Sequence, residues 1–437
     1  MAPQNVSALV EDLFRTQAAK MTAVILKIVG LRNLETAEDV VQETLFRAFQ
    51  IWPIQGIPLI PESWLMQTSK NLAIDYFRSR KSRFGKYSDR IGELDEALAH
   101  HSDPETVFEP AQIQDALLKM IFACCDPRLA IEDQIALTLK LCCGLSSHEI
   151  ASALLVTPVA IEKRLFRAKK LLRALGRESI EDWHMSIPSR LDGVLHVLYL
   201  LFTEGHKPSS GAKSLRIELC TEAMRLTLLL LDDPTTKRPK ASALMALMLF
   251  QSARFPSREF EDGSICQLQF QDRSEWNRRL ISEGYYHLER SAIGDELSRF
   301  HLEAGIAAFH CQASSFETTD WSSICFLYDQ LAQLNESPIT RLNRAIALGF
   351  AKGPEVAVTE LHLLEKSGAL DRYFLLPASL AEFYDQLGRH GMAVVYFELA
   401  IAFCPLESER QFLLRKEISS LDCLAVKMSQ QPKETNR

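Results

Sequence analysis

Apolar residues recur at helical spacing along nearly the whole chain, and no stretch of useful length alternates apolar with polar as a half-buried strand would. The pattern predicts an all-α protein. Val41, Leu45, Ala48, Phe49 and Trp52 form one apolar stripe, while Asp39, Gln42, Glu43 and Arg47 fall on another, acidic face. Thr36 stands three residues before Asp39, a capping-box spacing that predicts the helix to begin there. After a turn punctuated by Pro53, Pro58 and Pro61, a second helix is expected to turn Leu65, Thr68, Leu72 and Tyr76 inward. It carries Lys70, Arg78, Arg80, Lys81 and Arg83 toward its far end, with Trp64, Tyr76 and Phe77 among the cations. Ahead of both, Val6 to Gly30 reads as a helical hairpin or one long helix that covers the first stripe.

From Phe84 to Pro110 the periodicity lapses and acid, glycine and proline accumulate, as in a linker. His100 and His101 sit there, and adjacent side chains do not readily meet one ion. Periodicity returns at Ile113. Ser146 or Ser147 can cap a helix carrying Ile150, Ala151 and Leu154; after a turn at Leu155, Val156 and Thr157, a second helix starts at Pro158 with Thr157 as its cap and runs to about Leu172. This is a helix-turn-helix layout, whose second helix exposes Glu162, Lys163, Arg164, Arg167, Lys169, Lys170 and Arg173. A plain helical hairpin with a charged surface has the same pattern.

Past Arg177 the chain continues as apolar helices around a Gly/Ser/Pro loop at Gly205–Gly211. Near its end, Leu380, Ala381, Tyr384, Gly388, Ala393, Phe397, Ala400 and Pro405 hold the small, aromatic and proline offsets of a tetratricopeptide repeat, and Pro338–Lys366 follows the same plan more loosely. One such unit cannot bury its own face, so an array of several is expected.

Composition narrows the choices. The 437 residues suffice for about three domains with ample core. A formal net charge of −7 means that any nucleic-acid surface must be local. The ten cysteines lack zinc-site spacing and suit a reducing cytoplasm. Neither a signal segment nor a membrane span is expected. His184, His196, Glu204, His206, Asp272 and Arg273 are material for an active site, but no HExxH, GxSxG or phosphate loop accompanies them.

AEDVVQETLFRAF followed by WLMQTSKNLAIDYFRSRKS resembles region 2 of the sigma-70 factors in the form found in the extracytoplasmic-function (ECF) group, and EIASALLVTPVAIEKRLFRAKK resembles region 4. Where that family often has a turn glycine, this chain has Leu155. With LYLLFTEGHKPSSG, DRSEWNRRLISEG and the repeats, nearly the whole chain resembles an ECF subgroup carrying a long helical extension. The resemblance implies region 2 over 1–83, a linker over 84–112, region 4 over 113–177, a helical extension over 178–299, a tetratricopeptide-like array over 300–426 and a polar tail over 427–437.

It also implies a cytoplasmic bacterial factor without catalytic chemistry or cofactor, whose partners are core RNA polymerase and promoter DNA. Polymerase contacts are implied at Asp39, Gln42 and Glu43, and contacts to the −10 element at Lys70, Asn71, Asp75, Arg78 and Arg80. Contacts to the −35 element are implied at Val159, Ala160, Lys163, Arg164 and Arg167. Asp75 has a second reading, as a brace one helical turn from Asn71. The array is expected to regulate, with a protein or peptide partner. Two rivals are a helix-turn-helix regulator that never meets polymerase, and a helical enzyme using Glu204, His206 and Asp272.

Overall fold

The computed structural model describes residues 13, 17–26, 30–83, 110–142, 144–154, 156–175, 187–208, 215–232, 236–260 and 264–430, with the backbone alone at 31, 77–83, 110–115, 152–153, 175, 187–189 and 427–430. Most of the linker, the turn residue Leu155, His100, His101, His184 and residues 431–437 lie outside them. Among the described residues the secondary structure is helical, apart from one isolated bridge between Glu259 and Ile265. The chain divides into two compact units, Met1–Leu201 and Phe202–Arg437.

In the first unit, residues 17–26 form a helix with Met21, Val24, Ile25 and Leu26 in the core. Helix α1 spans Leu34–Gln55 and α2 spans Pro61–Arg83. α1 begins earlier than its sequence suggests. The 3-10 turn Leu31–Asn33 feeds directly into it, so Thr36 lies inside the helix, buried, and forms no capping box with Asp39. Pro53 does not end α1 either. A proline in the last turn forfeits little, and the Gly56 N–H closes the helix on the Trp52 carbonyl. The buried stripe of α1 is Val40, Val41, Thr44, Leu45, Ala48 and Trp52, with Phe49 outside it. Trp52 meets Trp64 of α2 edge to face at 5.4 Å.

Four helices follow: α3 (Pro110–Cys124), α4 (Ile131–Leu141), α5 (Ser147–Ala153) and α6 (Pro158–Leu175). Asp126, after α3, is the polar centre of this part. It accepts from Arg128 at 2.8 Å and from Arg190, at the start of α7 (Ile187–His206), at 3.0 Å. Arg190 also donates to the Phe122 carbonyl, and Gln134 to the carbonyls of Asp126 and Leu129. Burial opposes the Asp126 charge, but the Arg128 hydrogen bonds and the Arg190 charge outweigh it and hold the carboxyl below its usual range.

The second unit packs α8 (Ile217–Asp232), α10 (Arg278–Ser291) and α11 (Arg299–Gln312) around α9 (Pro239–Ser252). The chain then runs up and down through α12 (Trp321–Leu334), α13 (Pro338–Lys352), α14 (Pro354–Lys366), α15 (Leu375–Gln386), α16 (His390–Phe403) and α17 (Glu407–Gln430). The repeat offsets do what their residue types require. Leu380, Ala381, Tyr384, Ala393, Phe397 and Ala400 join one core with Leu342, Ala357 and Leu361 of the preceding pair. Gly388, at φ 68°, makes the turn from α15 to α16. Gly349 lets α13 approach its neighbours: a Cβ there would stand 2.5 Å from the Phe383 ring and 2.7 Å from the Ala357 Cβ.

Gly349→Ala should therefore destabilise the array by about 1–3 kcal/mol, measured as a fall in urea midpoint. Asp126→Asn leaves Arg190 without its counter-charge and should cost about 3–5 kcal/mol at neutral pH. Because the native Asp126 pKa is depressed, its stabilisation is present above the unfolded value of about 3.9 and fades as pH falls through the lower folded value. The gap between wild type and Asp126→Asn should narrow below about pH 4.

Candidate nucleic-acid interface

Helix α1 offers solvent a mixed face. Asp39, Gln42 and Glu43 are exposed, Glu43 pairing with Arg47 at 2.9 Å, and Phe46 (55 % exposed) and Phe49 (50 % exposed) stand beside them. Phe46 follows Asp39 by seven residues, two helical turns, so its place on this face could have been read from spacing alone. Ile54, in the last turn of α1, and Leu59 and Ile60 beyond it are exposed too.

Helix α2 places its polar candidates unequally. Asn71 and Asp75 are exposed, and Asn71 accepts from Gln67 at 3.2 Å. Tyr76, expected inside, is 43 % exposed, whereas Leu65, Met66, Ser69 and Ala73 make the buried stripe. Lys70 is buried, at 8 % exposure, and burial lowers its pKa. Arg78 and Arg80 follow on the same helix, but their side chains lie outside the described residues.

The helix-turn-helix forms from α4, α5 and α6. Ser146 and Glu149 cap α5 reciprocally, the Ser146 N–H donating to Glu149 Oε2 at 2.7 Å and the Glu149 N–H to Ser146 Oγ at 3.1 Å. Thr157 Oγ1 accepts from the Ala160 N–H at the start of α6. Ile150, Ala151, Ile161, Leu165, Ala168 and Leu172 pack the interior. On the outer face of α6, Val159, Lys163 and Arg167 line one shallow concavity with Glu162 and Phe166. Ala160 and Arg164, on the same helix, are half-buried. Phe166, 68 % exposed and seven residues after Val159, is a second ring that sequence reasoning passed over. Arg167 also donates to Asp133 of α4 at 3.1 Å, bracing the motif.

The later cations of α6 are already engaged. Lys169 Nζ lies 2.6 Å from Glu38 Oε1, and Arg173 lies 2.7 Å from Glu35 Oε1. These pairs seat the C-terminal half of α6 on the first turns of α1. Nothing in the spacing of the sequence announces a pairing between residues so far apart.

The residues set aside as enzyme material have separate structural jobs. Glu204 is buried, 3.5 Å from Arg216. His206 is packed between Phe202 and Phe255, and burial, then the nearby Arg258 and Arg254, press its pKa well down. Its carbonyl accepts from Arg258. Asp272 is exposed and caps a 3-10 turn by accepting from the Ser274 N–H and hydroxyl. Arg273 is buried against the His310 and Ala313 carbonyls. Among the described residues no group of three or more His, Cys, Asp or Glu is arranged to hold a metal ion, and no helix is long and apolar enough to cross a membrane.

Comparison with known proteins bears on both units. Residues 13–83 match the sigma-70 region 2 family, residues 120–172 match sigma-70 region 4, and residues 190–292 match a family of unknown function, DUF6596. The uncharacterized protein R00370 of Rhizobium meliloti (strain 1021) is 34 % identical over 384 residues, covering 87 % of this chain and 89 % of that protein. The ECF RNA polymerase sigma factor SigL of Mycobacterium tuberculosis is 29 % identical over 168 residues, which is 38 % of this chain and 88 % of SigL. The probable RNA polymerase sigma factor RfaY of Xanthomonas campestris pv. campestris is 30 % identical over 155 residues, 35 % of this chain and 36 % of RfaY. No solved structure matches the chain. Two sigma regions in order, each folded as its helices require and followed by a long helical extension, place this chain in the sigma-70 family as an ECF-type RNA polymerase sigma factor.

Proposed function

We propose that the protein binds core RNA polymerase through α1 and directs it to promoters read by α2 and α6, while the extension after residue 177 regulates that activity in the cytoplasm. The observation that carries the reading is the contrast between the outer faces. That of α1 is acidic with exposed phenyl rings, as suits a protein partner, and that of α6 is cationic around Val159 and Phe166, as suits duplex DNA.

On this reading region 2 occupies 1–83, the linker 84–112, region 4 113–177, the extension 178–299 and the array 300–426, with a tail at 427–437. Asp39, Gln42 and Glu43 contact polymerase, joined by Phe46. Asn71, Asp75, Arg78 and Arg80 meet the −10 element, with Lys70 supporting them from within α2. Lys163, Arg164 and Arg167 contact the −35 element around Val159 and Ala160. The sigma family is one of transcription factors rather than enzymes, and the structural roles of Glu204, His206 and Asp272 agree with that.

Run-off transcription with purified core polymerase tests the reading. Asp39→Ala/Glu43→Ala and Phe46→Ala should each weaken core binding at least tenfold. Arg78→Ala/Arg80→Ala should leave core binding intact and abolish promoter opening. Core binding and initiation that are unchanged in all three variants would sink the assignment.

A second expectation follows from the pairs on α6. Phosphate contact by Lys169 and Arg173 requires them to leave Glu38 and Glu35, so Glu35→Gln/Glu38→Gln should bind −35 duplex about two- to tenfold more tightly at low salt. The advantage should shrink as salt screens the pairs. Electrophoretic mobility shift of a −35 duplex across a salt series measures it.

A further inference from the structure

The second unit holds a cavity of about 340 Å³ among α11, α12, α13, α15 and the start of α17, within the size range of small-molecule sites. Its wall is a run of rings. Phe316 meets Trp321 at 5.1 Å and Phe350 at 5.0 Å, both edge to face; Trp321 meets Phe350 at 4.7 Å, and Phe350 meets Phe383 at 5.6 Å. Such a wall offers ring faces and edges to a flat guest.

Polar groups mark one side. Glu382 accepts from Lys416 at 3.0 Å and from Gln267 at 3.3 Å, so its charge is already compensated. His310, edge-on to Trp321 at 5.3 Å, lines the cavity, and its buried Nδ1 has no hydrogen-bond partner. Burial, then the charges of Arg254 and Arg273, push the His310 pKa down to about 3, which keeps the imidazole neutral at physiological pH. The same guanidiniums disfavour a cationic guest.

The cavity is half open to solvent, and two further segments narrow it. The segment Gln267–Gln269 and the α17 residues Phe412 and Leu413 also line it. The Gln267–Glu382 and Lys416–Glu382 bonds hold both in place, with Lys416 lying over the Phe270 and Phe412 rings at 5.7 and 5.8 Å. A ring-lined space of about 340 Å³ has room for a compact guest rather than an extended peptide.

We propose that this cavity is a binding site for an uncharged, planar, ring-bearing small molecule with a hydrogen-bonding group that meets His310. The extension then supplies the sigma factor with a ligand-responsive module. This goes beyond the transcriptional reading, and the test below involves no polymerase, so its failure leaves that reading intact.

The neutral fluorophore N-phenyl-1-naphthylamine, two aromatic groups joined by one N–H, serves as probe for the full-length chain. One saturable site of micromolar affinity is expected, with dye emission enhanced and Trp321 emission quenched. Trp321→Phe should remove the quenching, which identifies the ring that lies beside the dye. Asn343→Phe and Ala378→Phe each fill the cavity from a different helix and should weaken binding at least tenfold, in protein whose circular dichroism matches wild type. His310→Phe should weaken it about fivefold. Absence of a saturable site on the wild-type chain overturns the proposal. Dye affinity unchanged in the folded filled variants also overturns it, since the dye then occupies an open groove or another surface.

Discussion

The second unit depends on one constraint, that helix α9 must not meet water on any side. Eleven of its fourteen residues, from Ala241 to Phe250 and Ser252, are buried. A helix that is apolar all round has to be enclosed, and α8, α10 and α11 enclose it. The cost falls where the chain leaves it. Arg254 and Arg258 follow immediately, half-buried, and desolvation, helped for Arg254 by its neighbour's charge, pushes their pKa down to about 10. Buried guanidiniums need acceptors, and these are found largely on main-chain carbonyls and amide side chains. Arg258 donates to the His206 carbonyl, Arg254 to Gln251 and Gln271, and Arg273 to the carbonyls that end α11. Arg254 and Arg273 also lie over the Trp276 ring, at 5.5 and 4.8 Å. The stretch Asp272–Asn277 is thus a knot of caps and cations that fixes the end of α9 against α10 and α11.

That arrangement explains what was legible in the sequence and what was not. The helices, the helix-turn-helix and the final repeat were readable because apolar spacing, a serine cap at Ser146 or Ser147, Thr157–Pro158 and Gly388 act over one or two turns. The failures were also physical. Thr36 matched a capping box, but the 3-10 turn at Leu31 had already started the helix. Phe49 and Tyr76 matched apolar stripes but face solvent, because hydrophobicity alone does not distinguish a core ring from one kept for a partner. Lys70 counted as one cation among several, and only the packing of α2 reveals that it is buried. The pairs Lys169–Glu38 and Arg173–Glu35 join residues more than 130 apart and left no local trace.

The two motifs of the first unit therefore share charge as well as sequence order. Helix α6 is both the candidate reader of duplex DNA and the clasp on the first turns of α1, using different positions for the two tasks: Val159, Lys163 and Arg167 outward, Lys169 and Arg173 toward α1. Asp39 and Glu43, one turn further along α1, take no part in the clasp, so the acidic face stays open while the phosphate-seeking end of α6 is occupied. In the second unit, the repeat helices carry the aromatic cavity and the knot around Trp276 supplies the charges beside it. The extension thus couples its first half to its second through His310, whose ring faces Trp321 and whose carbonyl holds Arg273.

The phenyl rings of α1 have a thermal consequence. A surface that pairs carboxylates with exposed Phe46 and Phe49 responds to two variables at once. Its charges weaken with ionic strength, and its apolar burial weakens on cooling, with a negative heat-capacity change on association. A complex closed over that face would loosen in the cold without any change in its contacts, giving the association a temperature optimum set by a handful of side chains on one helix.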